Sequence, residues 1–92
     1  MNDDQFRRIA KTLADPARLT ALERISVDGE ASCSVLRDCL NLTAATISHH
    51  VAELIDSGLV QQRRDGKFLI LSVNQKVWKA YLQELQRRIP AR

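Results

Sequence analysis

The amino-acid sequence predicts a mainly α-helical domain with one small β-hairpin, in the order α-α-α-α-β-β-α. Apolar residues recur every three or four positions over most of the chain, which is the spacing of one helix face. From Leu59 the period changes, and LVQQRRDGKFLILSV is typical of two short strands joined by Asp65-Gly66, a strong hairpin signal. A chain of 92 residues with no internal repeat or linker is expected to form a single domain over residues 1–92.

The first two helices are predicted from apolar stripes and from residues that start helices. Phe6, Ile9, Ala10 and Leu13 share one face of a helix over residues 3–14. In DPARLTALERI, Asp15 is a good N-cap and Pro16 suits the first helical position. We expect this second helix to end near Ile25, with SVDGEAS as a loop.

The third and fourth helices are short and closely spaced. The third is predicted over Ser34–Leu40, with Val35, Leu36, Cys39 and Leu40 on one face, and Asn41 suits the left-handed position that ends a helix. Thr43 is a plausible N-cap for a fourth helix that runs to about Ser57 and stops at Gly58. Its inward residues are predicted to be Ile47, Val51, Leu54 and Ile55.

The closing helix is predicted from about Asn74 to Arg88. Val77, Tyr81 and Leu85 lie at i, i+4 and i+8, and Trp78, Leu82 and Ile89 flank them. This apolar face is wide and aromatic for such a small core, so part of it is expected to remain for another surface.

Composition excludes several classes of protein. Hydrophobic residues at 45% and charged residues at 27% indicate a folded globular domain. No apolar run approaches the roughly 18 residues of a membrane span, and MNDDQFRRIA lacks the apolar core of a signal peptide, so a cytoplasmic location is expected. The net charge of +3 favours an anionic partner only mildly. We find no Gly-rich phosphate loop, paired catalytic carboxylates or activated nucleophile, and predict neither an enzyme nor a cofactor.

Two short helices across a tight turn, followed by a basic hairpin, define a winged helix-turn-helix. The segments LADPARLTALERI, ATISHHVAELIDSGLV and RRDGKFLILSV closely resemble the arsenic-responsive (ArsR-type) family of bacterial winged-helix repressors. The resemblance extends from about Ile9 to Leu82, and the Ser-His-His run before SGLV is its most specific part. It implies a homodimeric, DNA-binding transcriptional repressor.

The fourth helix is the predicted recognition helix. Short polar or small side chains at its amino-terminal end would meet base edges in a major groove about 12 Å wide. The rotation set by the inward residues leaves an outward face of small side chains, for which the alternative is an ordinary solvated surface. The predicted DNA-binding residues of this helix are Thr43, Ala44, Ala45, Thr46, Ser48 and His49.

The adjacent histidines are predicted to have separate roles. Neighbouring helix positions are about 100° apart, so His49 and His50 do not easily share a small ligand, and no metal site is predicted. We expect His49 to face outward and donate to a guanine or a phosphate. His50 lies beside the buried stripe, where packing with one ring hydrogen bond is expected and a phosphate contact is the alternative.

The hairpin carries Arg63, Arg64 and Lys67 around its tip. Basic residues on a wing are placed to meet backbone phosphates or an adjacent minor groove. The alternative is a solubilising tip that protects two strand edges. Arg18 and Lys11 on the early helices are weaker candidates for the same role.

The sequence does not identify an effector. In the family that the chain resembles, one metal site uses a Cys-x-Cys pair at the third helix, but Ser34 and Val35 follow Cys33 here. Another uses acidic residues and histidines of the closing helices, and no histidine follows His50. Cys33 and Cys39 remain possible redox residues: Cys39 is expected in the core, and Cys33 is the better candidate for a reactive thiol.

A two-fold dimer between the first and closing helices is implied by the resemblance and is reasonable for the surplus apolar face. The alternative is that these residues belong to the chain's own core. The predicted interface consists of Phe6, Ile9, Leu13, Val77, Trp78, Tyr81, Leu82 and Leu85. The predicted function is a homodimeric repressor that binds a palindromic operator through residues 43–57 and 60–73, with a protein-interaction module or a thiol-based redox sensor as alternatives.

Overall fold

A computed structural model describes all 92 residues and confirms a mainly helical chain with a small β-sheet. Each helix begins after a residue whose side chain accepts a backbone N–H of the first turn, which satisfies donors that have no partner within the helix. The caps include Asp15 and Thr43, as predicted. The helices are α1 (Asp3–Leu13), α2 (Pro16–Asp28), α3 (Cys33–Leu40), α4 (Ala44–Asp56) and α5 (Gln75–Arg88).

The strands form a three-stranded antiparallel sheet in the order β1-β3-β2. They are β1 (Ala31–Ser32), β2 (Val60–Asp65) and β3 (Phe68–Val73). Val60 pairs with Val73 and Asp65 with Phe68, so the hairpin loop consists of Gly66 and Lys67. The predicted Asp65-Gly66 loop is therefore wrong by one residue. Gly66 has φ +60° at the first loop position, where glycine is favoured in a tight hairpin turn.

The segment after Ile25 also differs from the prediction of a loop. α2 continues to Asp28, where the Arg24 Nε donates to the Asp28 carboxylate at 2.8 Å, and it ends before Gly29 at φ +81°. Ala31 and Ser32 then pair with Leu71 and Ile70. The sequence does not reveal such a short strand, because its pairing depends on a partner about 40 residues away in the chain.

The core lies between the helices and the inner face of the sheet, against which α2, α3 and α4 pack. Ile9, Ile25, Leu36, Leu54 and Leu71 are completely buried within it. The face predicted for α3 is only partly correct, since Leu36 is buried and Leu40 half-buried, whereas Val35 and Cys39 are exposed. A helix of 8 residues has room for only a narrow buried stripe.

The turn that follows α4 is built around a buried serine and a glycine. The Ser57 hydroxyl donates to the Leu54 carbonyl at 2.7 Å and accepts from the Leu59 N–H at 3.2 Å. Gly58 has φ +90°, and a Cβ there would lie 2.8 Å from the Gln5 side-chain nitrogen. This turn therefore sets the direction in which the chain leaves α4 and enters the hairpin.

Candidate nucleic-acid interface

The rotation of α4 is determined by its buried residues. Ile47, Val51 and Leu54 are at most 5% exposed and face the core. Deleting such a buried side chain typically costs about 2–5 kcal/mol, so this rotation is strongly specified. Ala44, Ala45, Ser48 and His49 are exposed on the opposite side, as predicted, and Ala52 and Asp56 are exposed further along the helix.

The amino-terminal end of α4 is ordered by its own hydroxyl groups. The Thr43 Oγ1 accepts the Thr46 N–H at 3.2 Å and lies 2.9 Å from the Thr46 Oγ1. Asn41, in the left-handed conformation predicted for it, joins α3 to α4 at φ +52°. The two threonines are thus held in place, and each hydroxyl keeps capacity for a further bond.

The structure separates the two histidines. His49 is exposed, whereas His50 is 8% exposed and packs beside the core, with 5.9 Å between the ring centroids. The His50 Nδ1 is buried without a hydrogen-bond partner, so the predicted ring hydrogen bond is not found at that nitrogen. No group of three or more His, Cys, Asp or Glu side chains in the chain is placed to hold a metal ion.

Arg18 connects α2 to α4. Its guanidinium lies 3.4 Å from the Asp15 carboxylate and 3.8 Å from that of Glu53, and the side chain is 18% exposed. The Arg18 backbone N–H, which Asp15 accepts, lowers the pKa of that carboxyl. Arg18 is therefore engaged in holding the two helices together, while Lys11 remains exposed on α1.

The hairpin presents its basic residues in different settings. Every residue from Gln61 to Phe68 is exposed. The Lys67 ammonium lies 5.6 Å from the centre of the Phe68 ring. Arg63, in contrast, donates twice to Glu30, at 2.7 and 3.0 Å. Sequence reasoning missed Glu30, because nothing in the local pattern indicates a partner 33 residues away.

The two cysteines lie on α3 and differ in how far they are buried. Cys39 is exposed, so its predicted core position is wrong, and Cys33 is half-buried at the start of α3. Cys33 lines a cleft of about 340 Å³ together with Ala52 of α4 and Gln62 of the hairpin. Burial raises the pKa of the Cys33 thiol, which lowers the fraction of reactive thiolate at neutral pH. The two residues lie on one continuous helix, with about 9 Å of rise between them.

The α1/α5 face is partly intrachain core and partly surface. Ile9 and Tyr81 are 0% and 6% exposed, so these two of the predicted interface residues are already covered within one chain. Leu82 of α5 is 44% exposed, and Ile89, directly after the helix, is 75% exposed. The half-buried apolar side chains beside them are Phe6, Leu13, Val77, Trp78 and Leu85.

A charged cluster joins the ends of these two helices. The Arg88 guanidinium lies 3.9 Å from the Phe6 ring centre and 3.0 Å from the Asp3 carboxylate. Hydrogen bonds from Arg87 and Arg88 lower the pKa of Glu84 to about 2. The cluster holds the start of α1 against the end of α5. The Arg88 and Glu84 side chains are only 26% and 13% exposed, whereas Asp3 is 57% exposed, so the pair with Asp3 stabilises the fold only slightly.

A helix-turn-helix with an outward face of small residues on its second helix and a basic hairpin beside it defines a winged helix-turn-helix DNA-binding regulator. The model of the family described as "Helix-turn-helix domain" matches residues 13–63. An arsenical resistance operon repressor of Staphylococcus xylosus is 31% identical over 74 residues, which cover 80% of this chain and 70% of that protein.

Solved structures show the same fold. The crystal structure of an ArsR family transcriptional regulator superposes with a TM-score of 0.78 at 25% identity. The match covers 100% of this chain and 97% of the regulator's chain. The homodimeric winged helix-turn-helix domain from Mycobacterium bovis, a possible ArsR-family regulator, superposes with a TM-score of 0.76 at 23% identity. The match covers 99% of this chain and 92% of the Mycobacterium bovis domain. The chain belongs to the ArsR family of winged helix-turn-helix transcriptional regulators.

Membership of the ArsR family tests two predictions made from the sequence. It confirms the resemblance inferred from the sequence and, because these proteins are DNA-binding regulators, also the prediction that the chain is not an enzyme. None of the five helices combines the length and the apolar character that a membrane-spanning helix requires.

Proposed function

We propose that the chain is a homodimeric, cytoplasmic repressor that inserts residues 43–52 of α4 into the major groove of a palindromic operator. The observation that carries this proposal is the outward face of α4, on which small side chains surround one longer donor, His49. Small side chains let a helix approach base edges closely, and alanine methyl groups suit contact with thymine methyl groups. The proposed contacts are Thr43, Ala44, Ala45, Thr46, Ser48 and His49.

The hairpin supplies the proposed backbone contacts. Arg63, Arg64 and Lys67 are all exposed on or beside its tip. Each phosphate that a basic side chain neutralises releases counterions, so these contacts add affinity without selecting a sequence. In this proposal α4 determines which site is bound, and the hairpin contributes to how tightly DNA of any sequence is held.

Dimerisation is proposed through α1 and α5. The exposed Leu82 and the half-buried Phe6, Leu13, Val77, Trp78 and Leu85 form the surface, and the Mycobacterium bovis domain with the same fold is homodimeric. Two-fold symmetry would place two α4 helices about 34 Å apart, one turn of DNA. Leu82→Glu should yield monomers in sedimentation velocity, whereas Gln83→Glu, on an exposed position of the same helix, should leave the dimer intact.

Selection of binding sites from random duplex DNA tests this function. Purified protein should enrich a palindrome with half-sites about one helical turn apart. Enrichment of no sequence would instead favour a protein-interaction module. Repeating the selection with reduced protein, with oxidised protein, and with added zinc, arsenite or cadmium tests for an effector. An effect that disappears in Cys33→Ser would favour a thiol-based sensor.

A further inference from the structure

The two arginines of the hairpin lie on opposite faces of the sheet. Opposed residues of an antiparallel pair project to the same face, and successive residues alternate. Val60 and Val73 are buried on the inner face, so the pair Arg64 and Leu69 lies on that face and the pair Arg63 and Ile70 lies on the outer one. Leu69 also shares a cleft with α4 residues, which places the inner face toward the recognition helix.

On the outer face, Arg63 is bound by an acidic residue from a distant part of the chain. Glu30 immediately precedes β1, and β3 lies between β1 and β2. The Arg63 side chain therefore crosses Ile70 to reach Glu30, donating through Nε at 3.0 Å and through a terminal nitrogen at 2.7 Å. The nearby Asp28 carboxylate is occupied by Arg24 at 2.8 Å, so Glu30 is the partner of Arg63.

We propose that Glu30 competes with DNA phosphate for Arg63 and thereby limits the affinity of the hairpin for the DNA backbone. This inference rests on the proposed DNA-binding function. A guanidinium group binds a carboxylate and a phosphate with the same kind of donor. While Glu30 holds the Nε and one terminal nitrogen of Arg63, that side of the guanidinium is not available for a bidentate contact with a phosphate. The two side chains are 57% and 53% exposed, and an exposed pair is weak enough to exchange. Glu30 therefore tunes the contact and does not block it.

The test compares Glu30→Gln with Asp65→Asn, which removes the same charge from an exposed position of the hairpin but leaves the Arg63 pair intact. Affinity is measured at low salt for the selected operator and for a random-sequence duplex. Glu30→Gln should tighten binding to both DNAs by about twofold to fivefold more than Asp65→Asn does. In an Arg63→Gln background this advantage should vanish. Both substitutions are at exposed positions, and equal thermal unfolding midpoints would show that the fold is retained.

Two results would overturn the inference. One is an effect of Glu30→Gln that equals that of Asp65→Asn or persists in the Arg63→Gln background. The other is an unchanged Arg63 Nε–H resonance in Glu30→Gln without DNA, since the pair would then be absent from the free protein. Failure of the proposed function looks different: the wild type would bind operator and random duplex equally, and the random duplex would still report on Glu30. Absence of binding to any duplex would overturn both.

Discussion

The exposed half of α4 and the hairpin differ both in how they are held by the rest of the chain and in which side chains they expose. The α4 face is anchored by three buried residues behind it and carries small side chains, with His49 as its only ionisable group before Glu53. The hairpin is exposed from Gln61 to Phe68 and carries three basic side chains, those of Arg63, Arg64 and Lys67. A rigid face of small groups suits base reading, which depends on position, whereas exposed charges suit phosphate contact, which does not.

The largest effect is expected from Ala45→Glu on α4. A carboxylate at this position would meet the negative charge of the groove and obstruct close approach, so operator affinity should fall by about 30-fold or more in a fluorescence anisotropy titration. An acidic residue in the first turn is favourable for the helix, so folding should be unaffected. Gln83→Glu adds the same charge on α5 and should leave affinity nearly unchanged. Equal losses in the two variants would place α4 outside the interface.

A smaller and more selective effect is expected from His49→Ala. If the imidazole reads a base edge, operator affinity should fall by about tenfold, which corresponds to one good base contact of about 1–3 kcal/mol. Affinity for random duplex should change by less than about threefold, because that binding is mainly electrostatic. Competition titrations with both DNAs measure the ratio. A uniform loss on both would reassign His49 to a phosphate.

Neutralising the hairpin should change the salt dependence of binding more than its sequence preference. Joint replacement of Arg63, Arg64 and Lys67 by Gln should flatten the plot of log affinity against log salt by about 0.9 for each phosphate that is no longer neutralised. The ranking of operator variants should be preserved. Replacing Lys76 and Lys79 by Gln removes exposed cations from α5 and serves as the control. An unchanged slope would remove the hairpin from the DNA interface.

The smallest effect is expected at Cys33, which lines the cleft between α4 and the hairpin. In reduced protein without DNA, iodoacetamide should modify Cys39 several times faster than Cys33, because Cys39 is exposed and burial raises the pKa of the Cys33 thiol. Mass spectrometry of Cys33→Ser and Cys39→Ser measures the two rates separately. Faster reaction at Cys33 would indicate that the cleft between α4 and the hairpin opens in solution.

Local sequence patterns predicted most of the fold and the outward face of α4. Phe6 to Leu13 and Ile47 to Leu54 have the periodicity of single helix faces, and Asp15 and Thr43 mark helix starts through bonds made within one turn. These features depend on neighbours in the sequence, so they can be read directly from it. The outward position of His49 and the position of His50 beside the buried stripe followed from the same periodicity.

The predictions that failed depend on distant residues or on a choice between local alternatives. Cys39 has the spacing of a core residue, but no other element covers that side of α3. β1 exists only because β3 pairs with it, and the hairpin loop lies at Gly66-Lys67 because the pairing of Val60 with Val73 sets the register.

By itself, then, the sequence determined where the helices start, which way α4 faces and which residues could meet DNA, because these are set by interactions within a few residues. Only the tertiary structure decided that Arg63 is paired with Glu30 and that Ile9 and Tyr81 belong to the chain's own core. Those outcomes depend on which elements the fold brings side by side.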